Sequence, residues 1–421
     1  MKISSLIGHV NELSSVIFTW EKPADRSISE FYKTRKYLGS RDRRFISETV
    51  YGLIRNYKLL KSVRSQIAEI PSLASSDTLI LIYYIIFKKD DEEINNYFRD
   101  TVSDYEEIKS QVLSKAELLS GNHNLKYSFP EWMLNKLSGL IELKETEKFL
   151  ASLNEPAPTS IRLVIPEKED ELRLVFKEMG IELSKSNFAP MAYRLNKRLN
   201  FNDMELFSSG CFEPQDEGSQ LVTLFSGAKG ELMVLDACAG GGGKSMQIAT
   251  LLSGDSVVFA FDADQRRLEQ FRKRLKGKGY KNIIILDDEK RLVPLTEGFD
   301  LVLIDAPCSG SGTIRRNPDL KWRLNEKDID EYSDKQYAIL LEYSKYVKKD
   351  GVIAYITCSF FPEENEHVVS RFLTSFPNFS LIKENEFFTD FKIENRNGFL
   401  RLFPHLHETD GFTACLLKKN F

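Results

Sequence analysis

The stretch Glu231–Ser245, ELMVLDACAGGGGKS, decides the fold. Leu232 to Leu235 form an apolar run that ends in Asp236. Four consecutive glycines follow, and Lys244-Ser245 opens the helical run KSMQIATLL. Consecutive glycines between a strand and a helix let the backbone come close to a ligand without interference from Cβ atoms. Two ligand classes suit such a loop. A triphosphate loop has the pattern G-x-x-x-x-G-K-[ST]. Gly243-Lys244-Ser245 supplies its right end, and FDLVLID (Phe299–Asp305) would imitate the later acidic strand, but Cys238 stands where the first glycine belongs. An adenosyl group needs a carboxylate at the end of the next strand, about 20 residues on, to accept from the ribose hydroxyls. Asp262, closing SVVFAFD, is placed for that, with a helix N-cap as its alternative role. Asp288, or its neighbour Asp287, closes KNIIILDD and could accept from an adenine amino group or serve as a turn residue. The G-x-G-x-x-G dehydrogenase spacing is absent, which disfavours a nicotinamide cofactor.

Outward from this loop the pattern continues as strand, helix, strand. QRRLEQFRKRL, FDLVLIDAPC, the long helical run DIDEYSDKQYAILLEYSKYV, GVIAYITCS and DGFTACLLKK follow in turn. That alternation predicts an α/β domain over 208–421 with a parallel, doubly wound sheet. Asp236, Asp262, Asp287/Asp288, Asp305 and Cys358 then all lie at carboxyl ends of strands, where such sheets bind ligands. Upstream, SIRLVI and MAYRLN flank the helical DELRLVFKEMG, predicting a small α+β domain over 126–205. Residues 1–120 read as all-helical: Phe45, Ile46, Thr49, Val50, Leu53, Ile54 and Tyr57 recur at helical spacing, Gly39-Ser40 breaks the run, and Ser40 is placed as an N-cap.

The chain has 421 residues, enough for two or three domains, and its 42% hydrophobic and 29% charged residues exclude a disordered or collagen-like chain. The longest near-continuous apolar run, Leu79–Phe87, has nine residues and is too short to span a bilayer. MKISSLIGHV lacks the apolar core and cleavage site of a secretory leader. The five cysteines form no CxxC pair or Cys/His cluster, so neither a disulfide framework nor a metal centre is expected. A reduced, cytoplasmic protein is the expectation. The net charge of −4 conceals segregation: Arg26–Arg64 carries eleven Lys/Arg against three Asp/Glu, and Lys89–Glu107 eight acids against two bases. The basic stripe suits phosphates, or is a solvated helix face.

Cys308, in Asp305-Ala306-Pro307-Cys308-Ser309-Gly310, and Cys358, in Thr357-Cys358-Ser359, each sit at or just beyond a strand's carboxyl end. Cys211, Cys238 and Cys415 read as small buried hydrophobes. Two thiols at equivalent crevice positions point instead to chemistry. DACAGGGGKS, DAPCSGSGTIRRNPDLKWR and YITCSFFPEENE together resemble the S-adenosylmethionine-dependent RNA cytosine-C5 methyltransferases of the NOL1/NOP2/Sun family. QDEGSQLV and DGFTACLLKK resemble that family's flanking motifs, and LGSRDRRFISETVYGLIRN resembles the NusB-like helical RNA-binding domain of its bacterial small-subunit ribosomal RNA members. The chain departs from the family's usual loop at Gly240-Gly241 or Gly241-Gly242, where an Ala-Pro or Gly-Ala pair is common, and at Ser245, where Thr is usual. The extra glycine is expected to loosen the loop before binding.

The resemblance implies a Rossmann-like domain that binds S-adenosylmethionine through Cys238, Ala239, Gly240, Gly241, Gly242, Gly243, Lys244, Asp262, Asp288 and Asp305. It makes Cys358 the nucleophile that adds to C6 of cytosine, Cys308 the residue assisting release, and Asp305 the acid near N3. A DNA-type enzyme would instead place the nucleophile in a Pro-Cys motif such as that at Cys308. Arg162 resembles an RNA-facing arginine of the small domain. Arg315, Arg316, Lys321 and Arg323 around Trp322 suit phosphates and base stacking at a pocket mouth, unless Trp322 lies in a core. The expected partner is RNA, ribosomal before transfer RNA, with no membrane, and the protein is expected to be a monomer. A phosphate-loop NTPase and a non-catalytic NusB-like assembly factor are the competing classes.

Overall fold

Apolar runs that end in an acid or a cysteine become the parallel strands of the larger sheet. The computed structural model describes residues 1–197 and 199–421. The strands are β1 (Thr159–Leu163), β2 (Leu183–Lys185), β3 (Ala192–Leu195), β4 (Phe212–Pro214), β5 (Met233–Asp236), β6 (Val257–Ala260), β7 (Ile283–Ile285), β8 (Phe299–Asp305), β9 (Val347–Thr357), β10 (Phe379–Leu381), β11 (Asn395–Arg396), β12 (Phe399–Leu402) and β13 (Phe412–Lys419). The chain divides into two compact units, one of residues 1–155 with 314–326, the other of 156–313 with 327–421.

The second unit carries both sheets. Its large sheet runs β11-β12-β13-β9-β8-β5-β6-β7, with β10 also on β13. β7, β6, β5, β8 and β9 are mutually parallel, and β13 joins β9 antiparallel. Val234, Leu303 and Ile356 face one buried layer, Leu235, Val302 and Ile304 the other. Burial on both faces explains why these strands read as unbroken apolar runs. From β5 the chain steps outward to β6 and β7, then returns to β8 on the other side of β5. The reversal opens a crevice above the carboxyl ends of β5 and β8, the place where doubly wound sheets bind ligands. Asp236 pairs in register with Ala260 and Leu303, and Asp305 with Ile356.

The small antiparallel sheet, β2-β3-β1-β4, belongs to the same unit. Glu213 on β4 is wholly buried and binds Arg274 at 2.8 Å and Lys278 at 2.6 Å, both from the helical region after β6. Glu217, 1% exposed at its side chain, binds Arg194 of β3 at 2.6 Å. Removing one partner of such a buried pair typically costs about 3–5 kcal/mol. The expected cut between 205 and 208 therefore does not separate compact units, and Arg274 and Lys278 are structural cations.

The first unit is helical, with helices Ile3–Ile17, Ala24–Thr34, Ser40–Arg64, Ser75–Phe87, Glu92–Thr101, Tyr105–Leu119, His123–Lys126, Glu131–Ser138 and Leu143–Asn154. Ile46, Thr49, Val50, Leu53 and Ile54 face its core, as the spacing predicts. The N-cap of Ser40–Arg64 is Gly39, one residue before the expected Ser40, and Asp42 accepts from its amide at 3.2 Å. Residues 126–155 pack here rather than with the small sheet. Ser128 Oγ accepts from the Lys58 amide at 2.8 Å, and Lys58 Nζ donates to the Phe129 carbonyl at 3.1 Å. Among the described residues, no helix is long and apolar enough to cross a membrane.

Residues 314–326 complete this unit, which corrects the reading of that segment. Lys321 is 0% exposed and donates to the Arg55 carbonyl at 2.7 Å, Asn154 Oδ1 at 2.9 Å and the Tyr127 carbonyl at 3.4 Å. Burial first, and the Arg55 charge second, hold its ammonium well below the usual lysine value. Trp322 donates to the Ile54 carbonyl at 2.9 Å and joins Trp20 and Tyr57 in an aromatic cluster. Lys321→Met should lower stability by about 2–3 kcal/mol, because Asn154 Oδ1 loses its donor inside the protein. Urea denaturation measures this. A variant as stable as the wild type would show that the three oxygens find other donors.

Candidate active site

The glycine loop is shaped by its neighbours. Gly240 and Gly242 have φ of +54° and +79°, and Gly242 caps the helix Gly243–Leu251. A Cβ on Gly242 would fall 1.9 Å from a ring carbon of Phe271, which is itself fully buried. Only glycine fits there. The loop is not slack: the Gly240 amide donates to Asp262 at 2.8 Å, the Gly242 amide to the Ala239 carbonyl at 2.8 Å, and Arg274 to the Gly241 carbonyl at 3.2 Å. These bonds offset the loosening expected from the extra glycine.

Asp262 lies just past β6, 7% exposed, with one oxygen on Gly240 and the other accepting from the Asp264 amide at 2.8 Å. Asp287 and Asp288 lie beyond β7. Asp287 pairs with Arg272, while Asp288 caps the following turn through the Lys290 amide at 2.9 Å. Cys238 follows Asp236, and burial pushes its thiol well above the usual value. Ala239 is buried with its amide on the Phe261 carbonyl at 2.9 Å.

Lys244, in the first turn after the glycines, reaches Asp305 at the end of β8, with Nζ 2.6 Å from Oδ2. Burial alone would depress Lys244, but the adjoining Asp305 carboxylate outweighs it and lifts the ammonium above its usual value. Asp236 is 1% exposed, accepts from Ser245 Oγ at 2.5 Å, and has a buried Oδ1 without a hydrogen-bond partner. Burial pushes its carboxyl up to about 7, with the Ser245 bond opposing and the Asp305 charge adding.

The folded-state pKa of Asp236 lies above the ordinary 3.8, so the folded protein holds this proton more tightly than the unfolded chain. The contribution is complete below pH 4 and is lost as pH rises to about 7. Asp236→Asn keeps an acceptor for Ser245 and has no charge to bury. It should flatten that slope and gain up to about 4 kcal/mol over the wild type at high pH. Urea melts at several pH values compare the two; an Asn variant less stable at pH 8 would show that the carboxylate form is the one the loop supports.

Cys308 and Cys358, fifty positions apart, meet with their Sγ atoms 3.2 Å apart. Both are free thiols, each partly exposed. The hydrogen bond with Cys358 first, and burial second, push the Cys308 thiol well above the usual value. A raised thiol disfavours Cys308 as a thiolate.

Sequence reading missed the group that joins the two thiol loops. Glu364, in the PEEN run after Cys358, is wholly buried. It accepts from the Ser309 amide at 2.8 Å, Ser309 Oγ at 2.6 Å, Gln336 Nε2 at 2.9 Å, and Ser359 Oγ. The only sequence signal was a serine directly after each cysteine and an acid a few residues on.

The residues expected to face RNA divide. Arg162 is 3% exposed and donates to Gln215 at 2.8 Å, Arg315 is 7% exposed, and Lys321 is enclosed as described. A guanidinium or ammonium buried to this degree does not present itself to a phosphate. Arg316 and Arg323 are half-exposed, Arg323 lying 3.3 Å from Asp319.

A doubly wound sheet, a glycine cradle at its switch point, a carboxylate just past the second strand, and a Lys–Asp pair and two thiols at the ends of β8 and β9 define a Rossmann-like methyltransferase. The cradle admits no Cβ at Gly242 and offers backbone and Asp262 to an adenosyl group, so these residues fit S-adenosylmethionine. Residues 223–418 match the family model described as 16S rRNA methyltransferase RsmB/F. The chain is 32% identical over 299 residues to a probable ribosomal RNA small subunit methyltransferase B of Bacillus subtilis, covering 69% of this chain and 66% of that one. It is 30% identical to ribosomal RNA small subunit methyltransferase B of Vibrio vulnificus, covering 71% of this chain and 69% of that one. It is also 30% identical to a 28S rRNA (cytosine-C(5))-methyltransferase of Mus musculus, covering 75% of this chain and 42% of that one. Among solved structures, the crystal structure of PH0851 is similar with a TM-score of 0.76 and 26% identity, over 98% of both chains. The chain belongs to the RsmB/F family of methyltransferases. It is an S-adenosylmethionine-dependent RNA methyltransferase, which removes the NTPase and the non-catalytic readings.

Proposed function

We propose that this protein methylates C5 of a cytosine in small-subunit ribosomal RNA through a covalent bond between Cys358 and C6. The observation that carries this reading is the 3.2 Å approach of Cys308 to Cys358 in the sheet whose neighbouring strand end holds the Lys244–Asp305 pair. S-adenosylmethionine, held by residues 238–243 and Asp262, supplies a methyl group on a positively charged sulfur.

Cytosine C5 is a poor nucleophile. Cys358 loses its thiol proton and its Sγ donates the freed electron pair to C6 while N3 takes up a proton, so the former C5=C6 pair becomes available at C5 to take the methyl group, and N3 gives its proton back when it does. Negative charge builds toward N3 as C6 is attacked. Lys244 Nζ donates to Asp305 Oδ2 at 2.6 Å, and this pair is the proposed relay that carries the proton to N3. Product release requires loss of the C5 proton to a base, re-formation of C5=C6 and departure of Cys358 as thiolate. Cys308 is the neighbouring group suited to that second step: its thiol proton can pass to the departing Cys358 sulfur, 3.2 Å away, and the thiolate so formed can take the C5 proton, which leaves both cysteines as thiols. Its own high proton affinity relates to the hydrogen bond with Cys358, and that partner is consumed when Cys358 becomes a thioether.

The target base must leave its stack to reach Cys358, which single-stranded RNA makes easier. Arg316 and Arg323, together with the exposed cations Arg26, Lys33, Lys36, Arg41 and Arg44 of the Arg26–Arg64 stripe, are the proposed phosphate contacts, Arg55 being buried, and Asp288 is the proposed adenine contact. The names of the bacterial relatives support small-subunit ribosomal RNA as the substrate. The test is incubation of purified protein with S-adenosylmethionine and 16S rRNA, followed by bisulfite sequencing. A single protected cytosine is expected; uniform conversion of the ribosomal RNA, with protection in transfer RNA instead, would move the substrate assignment.

A further inference from the structure

We infer that Glu364 is a positioning residue that sets the spacing of the two cysteines and thereby couples release of the methylated base to its addition. The inference rests on the covalent mechanism proposed above. Glu364 touches neither thiol in its hydrogen bonding, but it holds the residue that follows each. Ser309, next to Cys308, gives it two hydrogen bonds at 2.8 and 2.6 Å, from the amide and the hydroxyl. Ser359, next to Cys358, gives it one from its hydroxyl. Gln336 donates to Glu364 at 2.9 Å and to the Pro307 carbonyl at 2.9 Å, so the same cluster also holds the residue before Cys308. A buried carboxylate with four donors fixes both loops to one point.

The two loops depend on that point unequally. The Cys358 loop has other supports. Thr357 donates to Asn365 at 2.7 Å, and the Ser359 carbonyl accepts from Asn365 at 3.1 Å and Thr413 at 2.8 Å. The Cys358 carbonyl accepts from the Gly312 amide at 2.8 Å, and β9, which leads into it, is paired on both sides by β8 and β13. The Cys308 loop leaves β8 through Pro307, which has no amide to donate. Past the Ala306 amide, which bonds the Ile356 carbonyl at 2.9 Å, Glu364 and Gln336 hold the residues on either side of Cys308; the loop's other anchors, Ser311 Oγ on Ser359 at 3.2 Å and on the Phe360 amide at 2.9 Å, and Gly312 on the Cys358 carbonyl, lie three and four residues farther on, while Ser309 Oγ also meets Ser359 Oγ at 3.3 Å, a hydroxyl that Glu364 itself holds. Loss of Glu364 should therefore displace Cys308 more than Cys358. Addition and methyl transfer use Cys358. Release removes the C5 proton, re-forms C5=C6 and breaks the C6–S bond, and it needs Cys308 in place. Release should suffer first.

Glutamine is isosteric. Its carbonyl keeps an acceptor for the Ser309 amide and Gln336, and its amide can donate to either serine hydroxyl, which can turn to accept. Position rather than charge then decides the outcome.

The experiment compares the wild type, Glu364→Ala, Glu364→Gln and Cys308→Ala on 16S rRNA transcripts made with cytidine or 5-fluorocytidine. Fluorine at C5 leaves no proton to lose, so every enzyme competent in addition and methyl transfer is trapped on that RNA. Denaturing gels read the trapped complex and bisulfite sequencing reads turnover. For Glu364→Ala we expect turnover on cytidine RNA to fall about 10–100-fold. Protein–RNA complex should accumulate on that RNA, as with Cys308→Ala, while trapping on the fluorinated RNA stays within about threefold of wild type. Glu364→Gln should return turnover to within about threefold of wild type. Equal losses in trapping and turnover, or wild-type turnover in Glu364→Ala, would overturn the inference. If Glu364→Ala does not fold, Ser309→Ala decides: accumulation of complex on cytidine RNA supports the inference and unchanged turnover overturns it. A wild-type protein that neither methylates RNA nor is trapped by the fluorinated transcript would overturn the proposed mechanism itself, whatever Glu364 does.

Discussion

Cys358→Ala is expected to lose at least ~10⁴-fold in methyl transfer and to form no covalent RNA complex, while still binding S-adenosylmethionine. The variant removes the atom that adds to C6, and without that addition C5 has no electron pair to offer. Cys308→Ala should fail differently. Addition and methyl transfer remain possible, so the enzyme should accumulate as a protein–RNA complex visible as a shifted band on a denaturing gel. The arrangement of the thiols gives the physical ground. The hydrogen bond with Cys358 first, and burial second, raise the Cys308 thiol, which disfavours Cys308 as the nucleophilic thiolate. If Cys308→Ala loses the complex and Cys358→Ala traps it, the roles are reversed and the chemistry is of the DNA type. If neither change affects methylation, the thiols are structural.

Gly242→Ala should have the second largest effect. The substitution needs a non-glycine residue at φ +79° and drives its Cβ to 1.9 Å from Phe271, a ring enclosed between the helix Gln265–Leu275 and the sheet. The backbone conformation and the overpacking together should cost about 2–4 kcal/mol. Movement of the loop to relieve the clash should weaken S-adenosylmethionine binding by about 10–100-fold. Gly241→Ala, whose Cβ would meet nothing within 4 Å, should leave folding stability within about 0.5 kcal/mol. Calorimetry and thermal melts on the two variants separate strain from simple loss of glycine. Equal stability losses in both would mean that the loop needs flexibility rather than a fixed shape.

The parallel core was legible because strands buried on both faces must be apolar throughout, and each such run here ends in a residue with chemistry: Asp236, Asp262, Asp305, Cys358. The glycine loop was legible for a related reason, since φ > 0 and close packing leave few substitutes. Strands β2, β4, β10, β11 and β12 were not anticipated. They have two to four residues, too short for any alternation to register, and their pairing depends on neighbours distant in the chain. Lysine and arginine misled for a clear reason. In a sequence they read as surface cations, and nothing local marks Lys321 as the donor to three oxygens from distant segments, or Arg162 as the partner of Gln215. The pairing of Cys308 with Cys358 could be suspected from equivalent positions at two strand ends. The four donors on Glu364 could not, because a buried carboxylate and an exposed one look alike until the chain is folded.

The most direct test of the account is to trap the wild-type protein on 5-fluorocytidine-containing 16S rRNA in the presence of S-adenosylmethionine, digest the complex, and identify the cross-linked peptide by mass spectrometry. One modified peptide is expected, carrying a methylated fluorocytosine nucleotide on Cys358 in the run GVIAYITCSFFPEENE. A nucleotide on Cys308, or methylated RNA recovered with no protein attached, would contradict it.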